Sequence, residues 1–381
     1  MRGHIRRRGG KRGVTTWEIK FEIGDRGRRR IAYRSFKGSR REAQAELARL
    51  LAQVQTGAHV DSDKLTVIEL VRNRVALWRA NGTISARTEQ GYREAVTNRI
   101  APFPIASRPL QKLTSADIEA WHVTLRTQGR RDGNGGIAPR TINQAHKLLK
   151  KSLDDAVRHK LVLRNVAGEQ PPPKLKAEPM PILTPEQVKE LPAKLAGLQI
   201  RAPAIVALHT GMRRGELLAL RWDDVDLDRK VIRVHAALEQ TKAHGVRFKR
   251  PKTESGVRSI SLPDIVVETL SEHRRQQLEL RLALGLGKPP ENALVFPAPG
   301  TERPWPPDSF SAEWGDRGFD VSFHGLRHTH ASMLIAAGRP ITEIAHRLGH
   351  ASPATTLSIY AHMFEQDDSN SAAAINAALG G

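Results

Sequence analysis

The chain has 381 residues, 39% hydrophobic and 27% charged, with no cysteine and a formal net charge of +21. That composition supports packed cores in two or three domains of ~100–200 residues each and excludes global disorder. It also excludes a bilayer span, since no apolar run approaches ~18–20 residues, and disulfides, thiolate nucleophiles, iron–sulfur clusters and cysteine-based zinc sites.

The arginine-rich start MRGHIRRRGGKRG is followed by no apolar stretch and does not read as a secretory signal, so a cytosolic location is expected. The charge surplus points to a polyanion, with nucleic acid ahead of a membrane surface. It is uneven. Residues 1–41 hold 15 Lys or Arg against 3 Asp or Glu, a net +12, and no Lys or Arg follows Arg347.

In TWEIKFEI (16–23) apolar residues recur at every second position, the period of a half-buried strand, and RIAYRSF (30–36) alternates again after a Gly-Asp-Arg-Gly turn signal. A helical pattern runs from Ser39 to Gly57 through Ala43, Leu47, Leu50, Leu51 and Val54. Residues 1–57 are therefore expected to form a small sheet plus one helix. A thin basic sheet can lie in a DNA groove, and its candidate contacts are Arg6, Arg7, Arg8, Lys11, Lys20, Arg28, Arg30 and Arg34.

Residues 65–167 read as all helix. Thr66 caps 67–81, Ser85 precedes a second helix through Ile100, and Thr114 with Asp117 marks a third. After a Gly- and Arg-rich loop at 128–137, Pro139 opens a fourth helix with Lys147, Lys150, Lys151 and Arg158 on its polar side, a candidate phosphate-contacting face.

The proline-rich GEQPPPKLKAEPMP (168–181) is expected to be an extended linker. From residue 182 to 381 the pattern is mixed α+β: helices at 185–195 and 201–220, strands at 231–234 and 259–262, and helices at 324–337, 341–348 and 353–362. The fold class expected is multidomain and mainly α.

The chemistry sits in this last segment. Arg213 and Arg327 stand at helix starts, where guanidinium groups grip phosphate with paired hydrogen bonds and helix N-termini add donors; structural pairing with acidic residues is the alternative. Glu216 lies three residues past Arg213, on the same helical side. Lys252 sits in a polar turn before a strand, exposed or aimed at a leaving oxygen. His324 and His328 are four apart, as are His346 and His350. A zinc reading is set aside, because an arginine separates the first pair, HExxH is absent and there are no cysteine ligands. Tyr360 is the only tyrosine after Tyr92, on a short helix opened by Ser352-Pro353.

The set Arg213, Lys252, His324, Arg327, His350 and Tyr360 resembles that of the tyrosine recombinases, the phage integrase family. TGMRRGELLALRWDDVDL is similar to the family's first arginine motif, PKTESGVRSISL to its lysine hairpin, and FHGLRHTHAS and LGHASPATTLSIYAH to its second and third boxes. The match is tight over 182–363. Residues 65–167 resemble the family's core-type DNA-binding domain, and 1–57 resemble the arm-binding domain of lambda-type integrases. Arg214 beside Arg213 leaves the first arginine ambiguous by one position; the Gly-apolar-Arg spacing favours Arg213.

The resemblance implies a site-specific DNA recombinase that integrates or excises a mobile element without metal or cofactor. Tyr360 would attack the scissile phosphodiester and form a 3′-phosphotyrosyl link. Arg213, Arg327 and His350 would stabilise the charged transition state, His324 would take the phenol proton, Lys252 would protonate the departing 5′-oxygen, and Glu216 would hold Arg213. The partners implied are double-stranded DNA at core and arm sites and three further copies of the chain, with a DNA-bending or directionality factor as an optional addition and no membrane, in the cytoplasm of a bacterial host. Two other readings are a type IB topoisomerase and a non-catalytic DNA-binding regulator. The tail after Tyr360, with Glu365, Asp367, Asp368, Ile375 and Leu379, is expected to contact another protomer rather than DNA.

Overall fold

The structure, a computed structural model, describes residues 3–8, 15–23, 30–55, 64–175, 180–251, 256–361, 376 and 379. Lys11, Arg28, Lys252 and most of the tail expected to reach a neighbour lie outside the described residues. The chain divides into two compact units, Met1–Lys176 and Ala177–Gly381.

The first unit holds two separate cores. Strands β1 (Gly3–Arg8), β2 (Thr16–Ile23) and β3 (Arg30–Lys37) form an antiparallel sheet in the order β1-β2-β3, covered on one face by helix α1 (Arg40–Gln55). Ile19, Phe21 and Leu50 are buried there, with Ile5, Phe36, Leu47 and Leu51 packed around them.

The register sorts the expected DNA contacts. Arg6 opposes Glu18 and Lys20 opposes both His4 and Tyr33, so Arg6, Arg8 and Lys20 share the face away from α1. Arg7 opposes Trp17 and Arg34 opposes Ile19, which puts both on the helix side. Arg34 pairs there with Glu46 of α1 at 3.4 Å. Of Arg30 only the backbone is described. The open face is thus less purely basic than the composition suggests: Arg8 pairs with Glu18 at 2.7 Å, and Tyr33 is 62% exposed beside Lys20.

The second core of this unit is helical. Helix α2 (Val67–Ala80) starts in a capping box in which Thr66 and Glu69 bond each other's backbone. Helix α3 (Ala86–Ala95) runs into a π-turn at Val96–Ile100, and α4 (Ser115–Gln128) is capped by Thr114 and Asp117. Helix α5 (Pro139–Arg158) buries Ile142, Ala145, Leu149, Leu153 and Ala156, the three-and-four spacing of one helical face. Each large aliphatic side chain so buried contributes about 1.5–3 kcal/mol. A short α6 (Val166–Glu169) follows, and residues 171–175 have no regular secondary structure.

The three lysines of α5 differ. Lys147 is exposed, Lys150 pairs with Asp154 at 3.1 Å, and the Lys151 ammonium sits 4.1 Å from the centroid of the Trp78 ring.

The second unit begins with α7 (Pro185–Lys194), capped by Thr184 and Gln187. The helix expected over 201–220 is two helices, α8 (Arg201–Thr210) and α9 (Arg214–Leu218). They break at Gly211, which adopts φ 68°, ψ 17°, the left-handed conformation that favours glycine. Strands β4 (Val225–Asp226), β5 (Val231–Val234), β6 (Ala237–Thr241), β7 (Gly245–Lys249) and β8 (Arg258–Ser261) form a β4-β5-β8 sheet and a β6-β7 hairpin. Helices α10 (Asp264–Ala283), α11 (Pro307–Gly315), α12 (Phe323–Ala336), α13 (Ile341–Leu348) and α14 (Pro353–Tyr360) complete it. The hairpin, α10 and α11 occupy stretches with no predicted element. No helix among the described residues is long and apolar enough to cross a membrane.

Candidate active site

The break at Gly211 builds the first corner of the site. A Cβ at Gly211 would lie 2.7 Å from the His330 ring and 2.8 Å from Leu348, so the chain passes close against α12 and α13 before α9 starts. Arg213 is left at the N-cap of α9. Its Nη1 donates to Glu216 Oε1 at 2.8 Å, its backbone N–H to Oε2 at 2.9 Å, and its Nη2 to the Gly349 carbonyl at 2.9 Å. Arg214 instead bonds Ser311 and Asp308 of α11. Arg213 is therefore the arginine that reaches the carboxylate.

Glu216 is buried. Burial would raise its carboxyl pKa, but hydrogen bonds from Arg258 and the charges of Arg258 and Arg213 outweigh it and hold the group below the usual range. Arg258 is the residue that motif reading gave no role. Its place on β8 beside Glu216 brings together positions 42 apart in sequence.

Helix α12 supplies the second corner. Arg327 is 3% exposed and its Nη1 donates to the Gly211 carbonyl at 2.6 Å. Its Nη2 is buried with no hydrogen-bond partner among the described residues. Burial, then the charge of Arg213, pulls its guanidinium down to about 9. A buried cation with a spare donor and no ion-pair partner among the described residues is a ready-made anion site.

Helices α13 and α14 supply the third corner. Gly349, with φ 67°, ends α13 and turns the chain into His350, whose Nδ1 lies 2.7 Å from Thr356 Oγ1. Burial, then the Arg327, Arg213 and Arg258 charges, lowers His350 to about 4. Tyr360 closes α14 with only 2% exposure, and its Oη lies 2.7 Å from His328 Nδ1. Burial pushes the phenol up to about 12, and the Arg327 charge opposes this only in part.

The expected base, His324, does not make that contact. It keeps an exposed edge and stacks edge-on against His328 at 4.8 Å. Its pKa is lowered by desolvation first and by Arg327, Arg213 and Arg214 next. His328 itself is lowered to about 4, by burial and then by the charges of His324 and Arg327, so its ring is neutral at ordinary pH. His324 and His328 lie one helical turn apart, and the fold sets His328 rather than His324 against Tyr360. Five of the six expected catalytic residues thus lie on elements that converge within one unit, and Lys252 belongs to the 252–255 segment outside the described residues. The described residues include no cluster of three His, Cys, Asp or Glu able to hold a metal.

A family model described as Phage integrase family matches residues 181–298 and 306–367. A tyrosine recombinase XerC-like protein of Caldanaerobacter subterraneus is 24% identical, over 96% of this chain and 97% of its own. The ICEBs1 integrase of Bacillus subtilis is 26% identical, over 88% and 89%. Among solved structures, the Tn1549 transposon integrase in complex with a circular intermediate DNA matches with a TM-score of 0.66 at 20% identity, over 83% of this chain and 99% of that one. A lambda integrase dimer bound to a COC′ core site matches at 0.54 and 17%, over 90% and 91%. At these identities the structural matches speak for a shared fold.

Proposed function

The chain belongs to the phage integrase family of tyrosine recombinases, and we propose that its residues divide the work of strand exchange as follows. The enzyme is a site-specific DNA recombinase that cuts and rejoins DNA to integrate or excise a mobile element. The observation that carries the residue assignment is the buried Arg327 donor, which has no hydrogen-bond partner among the described residues, beside an enclosed tyrosine.

A scissile phosphate accepts hydrogen bonds from Arg213 and Arg327, with His350 at its flank. The Tyr360 hydroxyl gives its proton to a neutral imidazole as Oη bonds to phosphorus. The P–O5′ bond breaks, and O5′ leaves with a proton from Lys252. The phosphotyrosyl ester conserves the bond energy, so a second 5′-hydroxyl reverses the step. The guanidiniums meet charge that builds on the phosphorane-like oxygens.

His328 is the imidazole that already touches Oη, and being neutral it can accept. His328→Gln is therefore expected to slow adduct formation on a nicked suicide substrate more than His324→Gln does, both measured in single turnover at saturating DNA. The reverse order would return the base role to His324. Mapping adducts on fragmented host DNA, with mass spectrometry of the modified peptide, tests the whole assignment; a phosphopeptide that lacks Tyr360 sinks it.

The domains expected at 1–57 and 65–167 take the arm-type and core-type DNA in this reading. Support comes from the charge of residues 1–41 and from the exposed Arg6, Arg8, Lys20 and Lys147. Deleting residues 1–57 is expected to spare cleavage of a short core duplex and to erase one of two footprints. Because phosphate contacts release counterions, the lost affinity is the salt-sensitive part, with a log–log slope of about −0.9 per contact. Coincident footprints with and without the segment would refute two-site binding. Strand exchange in this reading uses four copies on DNA in the bacterial cytoplasm, a stoichiometry that light scattering of the synapsed complex counts directly.

A further inference from the structure

We infer that Arg258 is a positioning residue for strand transfer: it fixes Arg213 and the Gly349–His350 turn against each other without touching DNA. The assignment rests on the Tyr360 chemistry proposed above.

Two arginines share one carboxylate. Arg213 takes Glu216 Oε1 at 2.8 Å from one side. Arg258 takes both oxygens from the other, Nη2 to Oε2 at 2.9 Å and Nη1 to Oε1 at 3.3 Å. Each arginine then binds a carbonyl at the end of α13: Arg258 Nε that of Arg347 at 2.8 Å, and Arg213 Nη2 that of Gly349 at 2.9 Å. The tie is reciprocal, since Arg347 Nη2 reaches back to the Ser261 carbonyl at the end of β8 at 3.1 Å.

The two guanidiniums have opposite fates. Each has five N–H donors. Arg213 commits one on Nη1 and one on Nη2, and its side chain stays 40% exposed, which leaves donors for a phosphate. The Arg258 side chain is 1% exposed and directs Nε, Nη1 and Nη2 into protein oxygens. It cannot serve as a phosphate ligand.

Its place also accounts for the glycine before His350. A Cβ at Gly349 would stand 2.7 Å from Arg258 Nη1 and 2.9 Å from Cζ. The fork and the bare turn are one device, which sets the direction in which His350 leaves α13. Arg258 Nη1 also lies 3.4 Å from the Gly256 carbonyl.

The test uses the full chain with Arg258→Gln and Arg258→Lys, a nicked suicide core substrate, and three readouts: single-turnover cleavage at saturating DNA, DNA affinity, and melting temperature. Misplacing a reacting group by about 1 Å costs on the order of 100-fold in rate, so Arg258→Gln is expected to cleave about 100-fold slower at near wild-type affinity when assayed well below its melting temperature, which falls because buried Glu216 loses one of its two partners. Arg258→Lys keeps the charge but not the two-pronged grip, and is expected to fall between. If Arg258 acts through Arg213, the Arg213→Gln/Arg258→Gln double variant is no slower than Arg213→Gln alone. Wild-type cleavage in either Arg258 variant overturns the inference. So does full additivity in the double variant, or a loss of cleavage that only follows lost melting or lost affinity in both. Failure of the wild-type protein to form an adduct would indict the Tyr360 reading instead.

Discussion

Tyr360→Phe should form no covalent protein–DNA adduct while binding core DNA as the wild type does. The variant removes one oxygen from a side chain that is otherwise enclosed by Ala331, Ile335, Ile344 and Leu348. Its cost to the fold is the His328 Nδ1 left without the phenol, about 1–3 kcal/mol for a buried polar group. A nicked suicide substrate traps the adduct because the short 5′-fragment diffuses away, and a denaturing gel reads it. An adduct that persists in the variant would mean that another residue attacks.

The environment of Tyr360 also shows what activation has to accomplish. With its pKa pushed up to about 12, the phenol is almost wholly protonated at neutral pH. At 2% exposure the side chain is covered by protein, which also keeps it from a duplex. Both obstacles have the same physical origin, burial at the end of α14, so one displacement of α14 toward solvent removes both. Bringing Oη near the Arg213 and Arg327 guanidiniums would then favour the phenolate further.

Much of this site is legible in the sequence because its corners are turns. Gly349 and Ser352-Pro353 stop or start helices by local backbone preference, and those preferences need no partner. The capping residues Thr66 and Thr114 are legible for the same reason: each bonds a residue three positions on. What sequence reading misses is what depends on distant partners. Position 211 lies inside the single helix expected over 201–220, and the tight approach of His330 and Leu348 shows why the chain breaks there. Arg258 reads as one more cation in a basic stretch until β8 pairs with β5 and sets it against Glu216. Helix α10 hides for another reason: only Val266, Thr269 and Leu270 of its 20 residues are buried, too short a stripe to stand out. In the N-terminal sheet, alternation locates the strands, but only the register separates Arg6 and Arg8 from Arg7 and Arg34.

Arg327→Met should abolish cleavage and yet raise the melting temperature. A buried guanidinium is costly, with an effective desolvation penalty of several kcal/mol per ion; Arg327 has no carboxylate partner among the described residues, and its depression to about 9 is the sign of that cost. The bond lost is the one from Nη1 to the Gly211 carbonyl, and stranding that oxygen costs about 1–3 kcal/mol. The first quantity exceeds the second, so the uncharged side chain of similar length is favoured in the free protein. Catalysis moves the other way. Removing one preorganised donor from a developing oxyanion costs about 10²–10³-fold in rate, and Arg327 offers both a donor and a charge. On DNA the missing phosphate contact should reduce the slope of log affinity against log salt by about one unit. The three measurements separate the possible roles of this arginine. A structural arginine would lower the melting temperature on replacement and leave the salt slope alone. An arginine held in an unfavourable site for the sake of a phosphate raises melting, flattens the slope and loses cleavage together. A variant that melts lower with an unchanged slope would place the phosphate elsewhere.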